Sequence, residues 1–225
     1  MRKTKIDWCD STINCVYGCP NNCKYCYGNV MNKRFHFCKD WSKPEWKPEH
    51  LKEFNGKKPK SIFIDSMSDI GTWKSEWFDE VMSAIRRNSQ HNYIALTKCL
   101  SGYRANSTMN EYRTKQYMPR NLFIGVSVTN NVPPQVKPLN VDFLSIEPIL
   151  QAVDIKPYID GVLKLVIIGA ETGNRKGKVI PQKEWVDRIV QTADTYGIKV
   201  FMKGSLRKLM GDDFRQDKLP WEIER

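Results

Sequence analysis

No stretch of this 225-residue chain is apolar for long enough to cross a bilayer. The greasiest run, VLKLVIIGA at residues 162–170, is broken by Lys164, whereas a spanning helix needs about 18 or more apolar residues in a row. The opening MRKTKIDWCD has basic residues but no apolar core behind them, so no secretory leader is expected and the cytoplasm is the default location, with no membrane partner. Internal repeats, heptads and low-complexity tracts are lacking too, which excludes solenoids and coiled coils. Acidic residues are in deficit: 25 Asp/Glu face 36 Lys/Arg, a net charge of +11. In residues 1–60 the count is 6 against 13. Such an excess favours an anionic partner, nucleic acid first, because counterions released from phosphate backbones drive association. A lysine-rich surface that merely keeps the protein in solution is the alternative.

Hydrophobic residues at 40% and charged residues at 27% describe an ordinary globular chain, long enough for one domain to bury roughly 70% of its unfolded surface. Short apolar, β-branched runs recur at 61–67, 91–98, 121–129, 141–149, 162–170 and 198–204, as expected of strands covered on both faces. INCVYG at 13–18 would be a first strand, with a helix after Cys26. Residues 75–88 set Trp77, Val81, Ala84 and Ile85 on one helical face, and residues 181–197 do the same with Trp185, Ile189 and Ala193. Alternating strands and helices imply parallel βαβ units. About six or seven strands, in a chain shorter than the ~250 residues of a closed barrel, predict a partial, open β/α barrel. A doubly wound sheet is the alternative. Residues 39–60, rich in Lys, Pro and Trp, have neither period and are expected as an excursion.

Five of the seven cysteines fall within the first 26 residues, and Cys19, Cys23 and Cys26 are spaced C-x3-C-x2-C. This crowding suits a metal site better than a disulfide framework. Three thiolates can hold three corners of an iron–sulfur cube and leave a fourth open, whereas a structural zinc takes four ligands. A closed zinc knuckle that recruits Cys9, Cys15, His36 or Cys38 remains the alternative.

The run CPNNCKYCY, with Tyr25 before its third cysteine, resembles the signature of the radical S-adenosylmethionine (SAM) superfamily. The resemblance implies a [4Fe–4S] cluster on Cys19, Cys23 and Cys26, with SAM on the open iron. Electron transfer then yields a 5′-deoxyadenosyl radical that abstracts hydrogen from a substrate. A protein electron donor of the flavodoxin or reductase type is implied as well. SMSD, GVSVT, LSIEP, GAETG and the terminal FMK are similar to a phage and bacterial radical SAM-like family, over residues 5–221. Members of that family often have a longer gap between the first two cysteines. Here Ser66 to Asp69 stand where a Gly-Gly-Glu turn is common, and GAETG replaces a more glycine-rich turn.

With SAM on the cluster, its nucleoside would lie across the C-terminal strand ends, where parallel β/α folds bind ligands. The candidate contacts are Tyr25, Ser66, Ser68, Asp69, Ser127, Thr129, Glu147, Gly169, Glu171 and Lys203; singly, each has a capping or turn role as its commoner explanation. The GNRKGK stretch at 173–178 lacks the spacing of a phosphate-binding loop. It is expected as a basic loop whose Arg175, Lys176 and Lys178 touch an anionic substrate or water. Trp8, Trp41 and Trp46, set among lysines, would stack bases. A nucleic acid base or nucleotide is therefore the leading substrate class, for modification or repair. The alternatives are a peptide or small-metabolite radical SAM enzyme, and a non-catalytic nucleic-acid-binding protein with a structural zinc or cluster. No catalytic side chain is identified; Tyr93, Cys99 and Tyr103 are candidate hydrogen-atom donors only by nearness to strand ends.

Overall fold

A computed structural model describes residues 2–98, 118–129, 141–159 and 161–223. The chain packs as two compact units, residues 1–123 with 221–225, and residues 124–220.

In the first unit, β1 (Arg2–Lys3) runs antiparallel to β2 (Ser11–Thr12), which pairs in parallel with β5 (Ser61–Phe63), itself parallel to β6 (Asn92–Thr97). The expected first strand at 13–18 is displaced. The ladder to β5 ends with the bond from Ile13 N–H to the Phe63 carbonyl, because the next residue, Asn14, turns its side chain to the loop after β5. There Asn14 Oδ1 accepts from the Met67 N–H at 2.9 Å and from Ser66 Oγ at 3.1 Å. The chain then leaves the sheet, and β3 (Val16–Tyr17) forms an antiparallel ribbon with β4 (Glu45–Trp46). Residues 39–60 are accordingly a docked excursion: a 3-10 helix, Pro48–Asn55, inserts the fully buried Phe54, which stacks on Tyr93 at 5.4 Å.

Helix α1 (Tyr27–Phe35) follows the cysteines, and α2 (Ser75–Arg87) links β5 to β6. Helix α2 buries Phe78, Val81, Met82, Ala84 and Ile85. Phe78, not the expected Trp77, completes its inner face; Trp77 stacks on Trp46 at 6.1 Å. At the base of this unit Trp8 packs on Phe63 at 4.8 Å, and the Trp221 indole donates to the Trp8 carbonyl at 2.8 Å.

The second unit carries most of β7 (Leu122–Ser127), with β8 (Phe143–Ile146), β9 (Leu165–Ile168) and β10 (Lys199–Met202), paired in that order and all parallel. Every residue of β8 and β9 is buried, which explains their unbroken apolar runs. Helix α3 (Lys183–Thr195) joins β9 to β10 and buries Val186, Ile189 and Ala193; the expected Trp185 is only half-buried, its place taken by Val186. A short helix, α4 (Arg207–Met210), follows β10. Parallel strands alternating with helices make a mixed α/β architecture, which fits the expected partial β/α barrel. No described helix is long and apolar enough to cross a membrane.

Gly125 in β7 faces Phe143 of β8, and a Cβ there would lie 2.5 Å from the ring. Phe143 is fully buried and has no room to yield. Gly125→Ala is expected to cost about 1–3 kcal/mol, the usual range for overpacking, measured as a lower urea midpoint.

Candidate metal centre and cofactor contacts

The cysteine loop is pinned at its entry, its middle and its exit. At the entry Gly18, with φ +106°, donates its N–H to the Met67 carbonyl at 3.0 Å, and any Cβ there would press on the Trp41 carbonyl at 2.9 Å. Only glycine takes that turn without strain. The Cys19 N–H donates to the same Trp41 carbonyl at 2.6 Å. In the middle, Asn21 Nδ2 donates to Asp69 Oδ2 at 2.8 Å. At the exit the Cys26 N–H bonds the Cys23 carbonyl at 3.0 Å, and Cys26 is the N-cap of α1, its Sγ accepting from the Asn29 N–H at 3.4 Å. The Trp41 ring covers the first turn, where a Cβ on Gly28 would come within 2.6 Å of it.

Cys19, Cys23 and Cys26 are all free and half-buried. Burial above all pushes the Cys19 thiol up to about 12, and the neighbouring Asp69, Cys26 and Cys23 add to the effect, against a hydrogen bond in the Asn21 backbone that lowers it. A metal bound to Cys19 would have to displace that proton. The other cysteines of the zinc alternative lie in different surroundings. Cys38 is buried in an apolar cluster with Tyr17 and Met67. Cys15 is buried near Glu53 and Glu49, and burial pushes its thiol up to about 12. Among the described residues no group of three or more His, Cys, Asp or Glu side chains that could hold a metal ion is found. A zinc ion needs four ligands converging at 2.0–2.3 Å, whereas the thiolates of a cube each bind a separate iron. Three thiols are the number of protein donors that a cube with one open corner takes.

Of the strand-end residues in the first unit, Ser66, Ser68 and Asp69 are brought together, but each is engaged by the protein itself. Ser66 Oγ accepts from Asn14 Nδ2 at 3.0 Å, its carbonyl accepts from the Tyr27 hydroxyl, and Ser68 Oγ accepts from the Trp73 indole at 3.0 Å. Asp69 is 4% exposed and accepts four hydrogen bonds, from Asn21 Nδ2, the Gly71 N–H at 2.9 Å, Thr97 Oγ1 at 2.6 Å and the Lys98 N–H at 2.8 Å. It ties the cysteine loop to the ends of β5 and β6. Sequence reasoning missed Asn21, Thr97 and Lys98 as its partners. Beside it, Asp65 accepts from the Ile70 and Leu96 N–H groups; burial first, then the charge of Asp69, pushes its carboxyl up. Tyr25 is half-buried, with Lys98 Nζ 5.9 Å from its ring.

In the second unit Glu147 and Lys203, which follow β8 and β10, approach to 3.7 Å above Gly169. A Cβ on Gly169 would meet Lys203 Cδ at 3.0 Å and Glu147 Cγ at 3.3 Å, so this glycine makes room for both side chains. Ser127 and Thr129 are half-buried at the end of β7. Glu171 is engaged elsewhere, held by Arg175 in a two-pronged pair of 2.5 and 2.7 Å. Arg175 also donates to the Gly177 carbonyl, and Lys178 Nζ donates to the Gly173 carbonyl. Arg175 and Lys178, expected to touch an anionic substrate or water, thus also tie the loop to itself.

The Arg175 hydrogen bond holds the Glu171 carboxyl below its usual range. Its contribution to stability is present above the ordinary value, about 4.3, and is lost as pH falls through the depressed value. Urea midpoints for the wild type and Glu171→Gln are expected to differ at neutral pH and to converge in acid.

Two other expectations change. Trp8 is buried in the core, Trp46 is stacked on Trp77, and Trp41 lies over Gly28, so none of the three is a free platform for bases. Tyr93 is fully buried, its hydroxyl directed at the Asn88 carbonyl, and cannot reach a substrate. Cys99 and Tyr103 lie outside the described residues.

Residues 3–210 match the family described as "Protein of unknown function (DUF5131)". The chain belongs to this family. No curated protein and no solved structure matches it.

Proposed function

We propose that the protein is a radical SAM enzyme whose [4Fe–4S] cluster is held by Cys19, Cys23 and Cys26. The observation that carries this reading is three free, half-buried thiols on one loop, clamped to the strand ends by Asp69, with Cys26 capping a helix. When bound, the cluster would pass one electron to SAM, releasing methionine and a 5′-deoxyadenosyl radical that takes a hydrogen atom from the substrate.

This chain's own residues orient and shield that centre. The Asn29 N–H donates to the Cys26 sulfur, and Trp41 covers the turn behind it. Tyr25 and the Ser66–Asp69 segment are the candidate cofactor contacts of the first unit. With its four donors in place, Asp69 acts by positioning the loop. In the second unit Glu147, Gly169 and Lys203 are the stronger candidates, beside Ser127 and Thr129, because a carboxylate and an ammonium over bare backbone suit a zwitterionic ligand. Glu171 acts through Arg175 as a loop clamp.

The substrate class we propose is a nucleic acid base or nucleotide. Its support is the charge of +11, now without help from the tryptophans.

Anaerobic reconstitution with iron and sulfide tests the reading. A brown protein that forms 5′-deoxyadenosine from SAM under dithionite is the expected result. A colourless protein with one tightly held zinc would favour the structural-metal alternative. SAM cleavage that DNA and RNA neither stimulate nor inhibit would shift the substrate to a peptide or small metabolite.

A further inference from the structure

Helix α1 is the first element after the cysteines, and it turns an apolar face to solvent. Tyr27, Val30, Met31 and Phe35 are 55, 68, 38 and 48% exposed. At about 100° per residue, Val30, Arg34, Tyr27, Met31 and Phe35 form one continuous stripe, while Gly28 and Asn32 face inward. Tyr27 is fixed by its hydroxyl bond to the Ser66 carbonyl, and Phe35 by its contact with Phe37 at 5.7 Å and the Arg34 guanidinium 5.0 Å from its ring. These are held side chains, and Tyr, Phe, Met and Arg are the types enriched in the centre of protein interfaces.

The charge of the segment that carries the stripe has one sign. Residues 11–39 contain no Asp or Glu, while Lys24, Lys33, Arg34 and Lys39 are all exposed. The patch is suited to a partner with a small apolar contact inside an acidic rim. A face nine residues long extends only about 12 Å. A stable dimer takes about 800 Å² from each copy, whereas electron-transfer encounters occupy the low end of interface sizes. Aliphatic Val30 and Met31 near the middle of the stripe offer nothing to a phosphate backbone, which disfavours nucleic acid there.

We infer that the exposed face of α1 docks an acidic one-electron carrier protein, whose flavin or iron–sulfur centre thereby comes to rest beside the Cys26 end of the loop. The inference rests on the radical SAM reading for the purpose of that contact. In the step it serves, the carrier is oxidised by one electron and the cluster reduced by one; no bond is made or broken.

The test is the binding of purified flavodoxin and ferredoxin to the cluster-free full chain, by calorimetry at low and high salt. The wild type should bind one of them, more weakly as salt rises. Val30→Glu with Met31→Glu, and separately Arg34→Glu, should weaken that binding by about tenfold or more, with far-ultraviolet circular dichroism unchanged. In the reconstituted enzyme the same variants should keep wild-type SAM cleavage with dithionite and lose it with the protein donor. Unaltered binding in both kinds of variant would overturn the inference, as would failure of the wild type to bind either carrier. Loss of duplex-DNA binding or of self-association in its place would also overturn it. Absence of dithionite-driven cleavage in the wild type would instead refute the radical SAM reading, and leaves the binding result to be judged by itself.

Discussion

Replacing Cys19, Cys23 or Cys26 singly by alanine is expected to leave the reconstituted protein nearly colourless and to lower 5′-deoxyadenosine formation by more than about 100-fold. Loss of an outer hydrogen-bond partner of a metal ligand already costs 10–100-fold, and loss of a ligand itself must exceed that. Cys15→Ala and Cys38→Ala make the contrast. Both residues are buried and neither belongs to the C-x3-C-x2-C set, so their variants should keep the visible absorbance and the product, at the cost of a small cavity, about 1 kcal/mol. A zinc knuckle that used Cys15 or Cys38 would give the opposite pattern. Iron, sulfide and zinc counts on all five variants separate the two.

Asp69→Ala is expected to cost about 3–5 kcal/mol and to weaken cluster retention as well. The carboxylate is almost inaccessible and satisfies four donors from three separate segments. Each donor stranded without a partner costs about 1–3 kcal/mol, reduced where water enters. Asp69→Asn preserves the shape but turns an amide toward donors, and should fall between the wild type and alanine. Asn21→Ala isolates the loop contact. It should leave the urea midpoint nearly unchanged and still lower the fraction of protein that retains iron during desalting, a result that a purely structural role for Asp69 would not give. The neighbouring carboxyl supplies a further check. Asp65 is pushed up by burial and by Asp69, so its contribution to stability is present at low pH and is lost as pH rises through its raised value. Removing the Asp69 charge should lower that value and move the loss toward acid.

Much of the framework was legible because periodicity reports burial. The all-buried β8 and β9 appear in the sequence as unbroken apolar runs, and α2 and α3 as stripes at helical spacing. Errors arose where two neighbouring residues compete for one role. Trp77 and Phe78 are adjacent, and the choice between them depended on Trp46, a partner on a distant ribbon. The first strand was misplaced because Asn14 exchanges the ladder for bonds to Ser66 and Met67, over 50 residues on. The spacing of the cysteines was plain, but the clamp beneath them was not. As a polar residue at a strand end, Asp69 reads in the sequence as a ligand contact. Beyond the local Gly71 bond, its donors lie 48 residues before it and 28 and 29 residues after it, separations that no local pattern encodes. The basic loop misled in a similar way: composition shows Arg175 as a free cation, but Glu171 one helical turn away in sequence already holds it.

The most direct test of the account is the chromatographic measurement of 5′-deoxyadenosine after the iron-loaded protein is reduced with dithionite in the presence of SAM. The account predicts 5′-deoxyadenosine and methionine in equal amounts, dependent on Cys19, Cys23 and Cys26. Intact SAM, recovered in full from a protein whose iron and sulfide content matches a complete cluster, would contradict it.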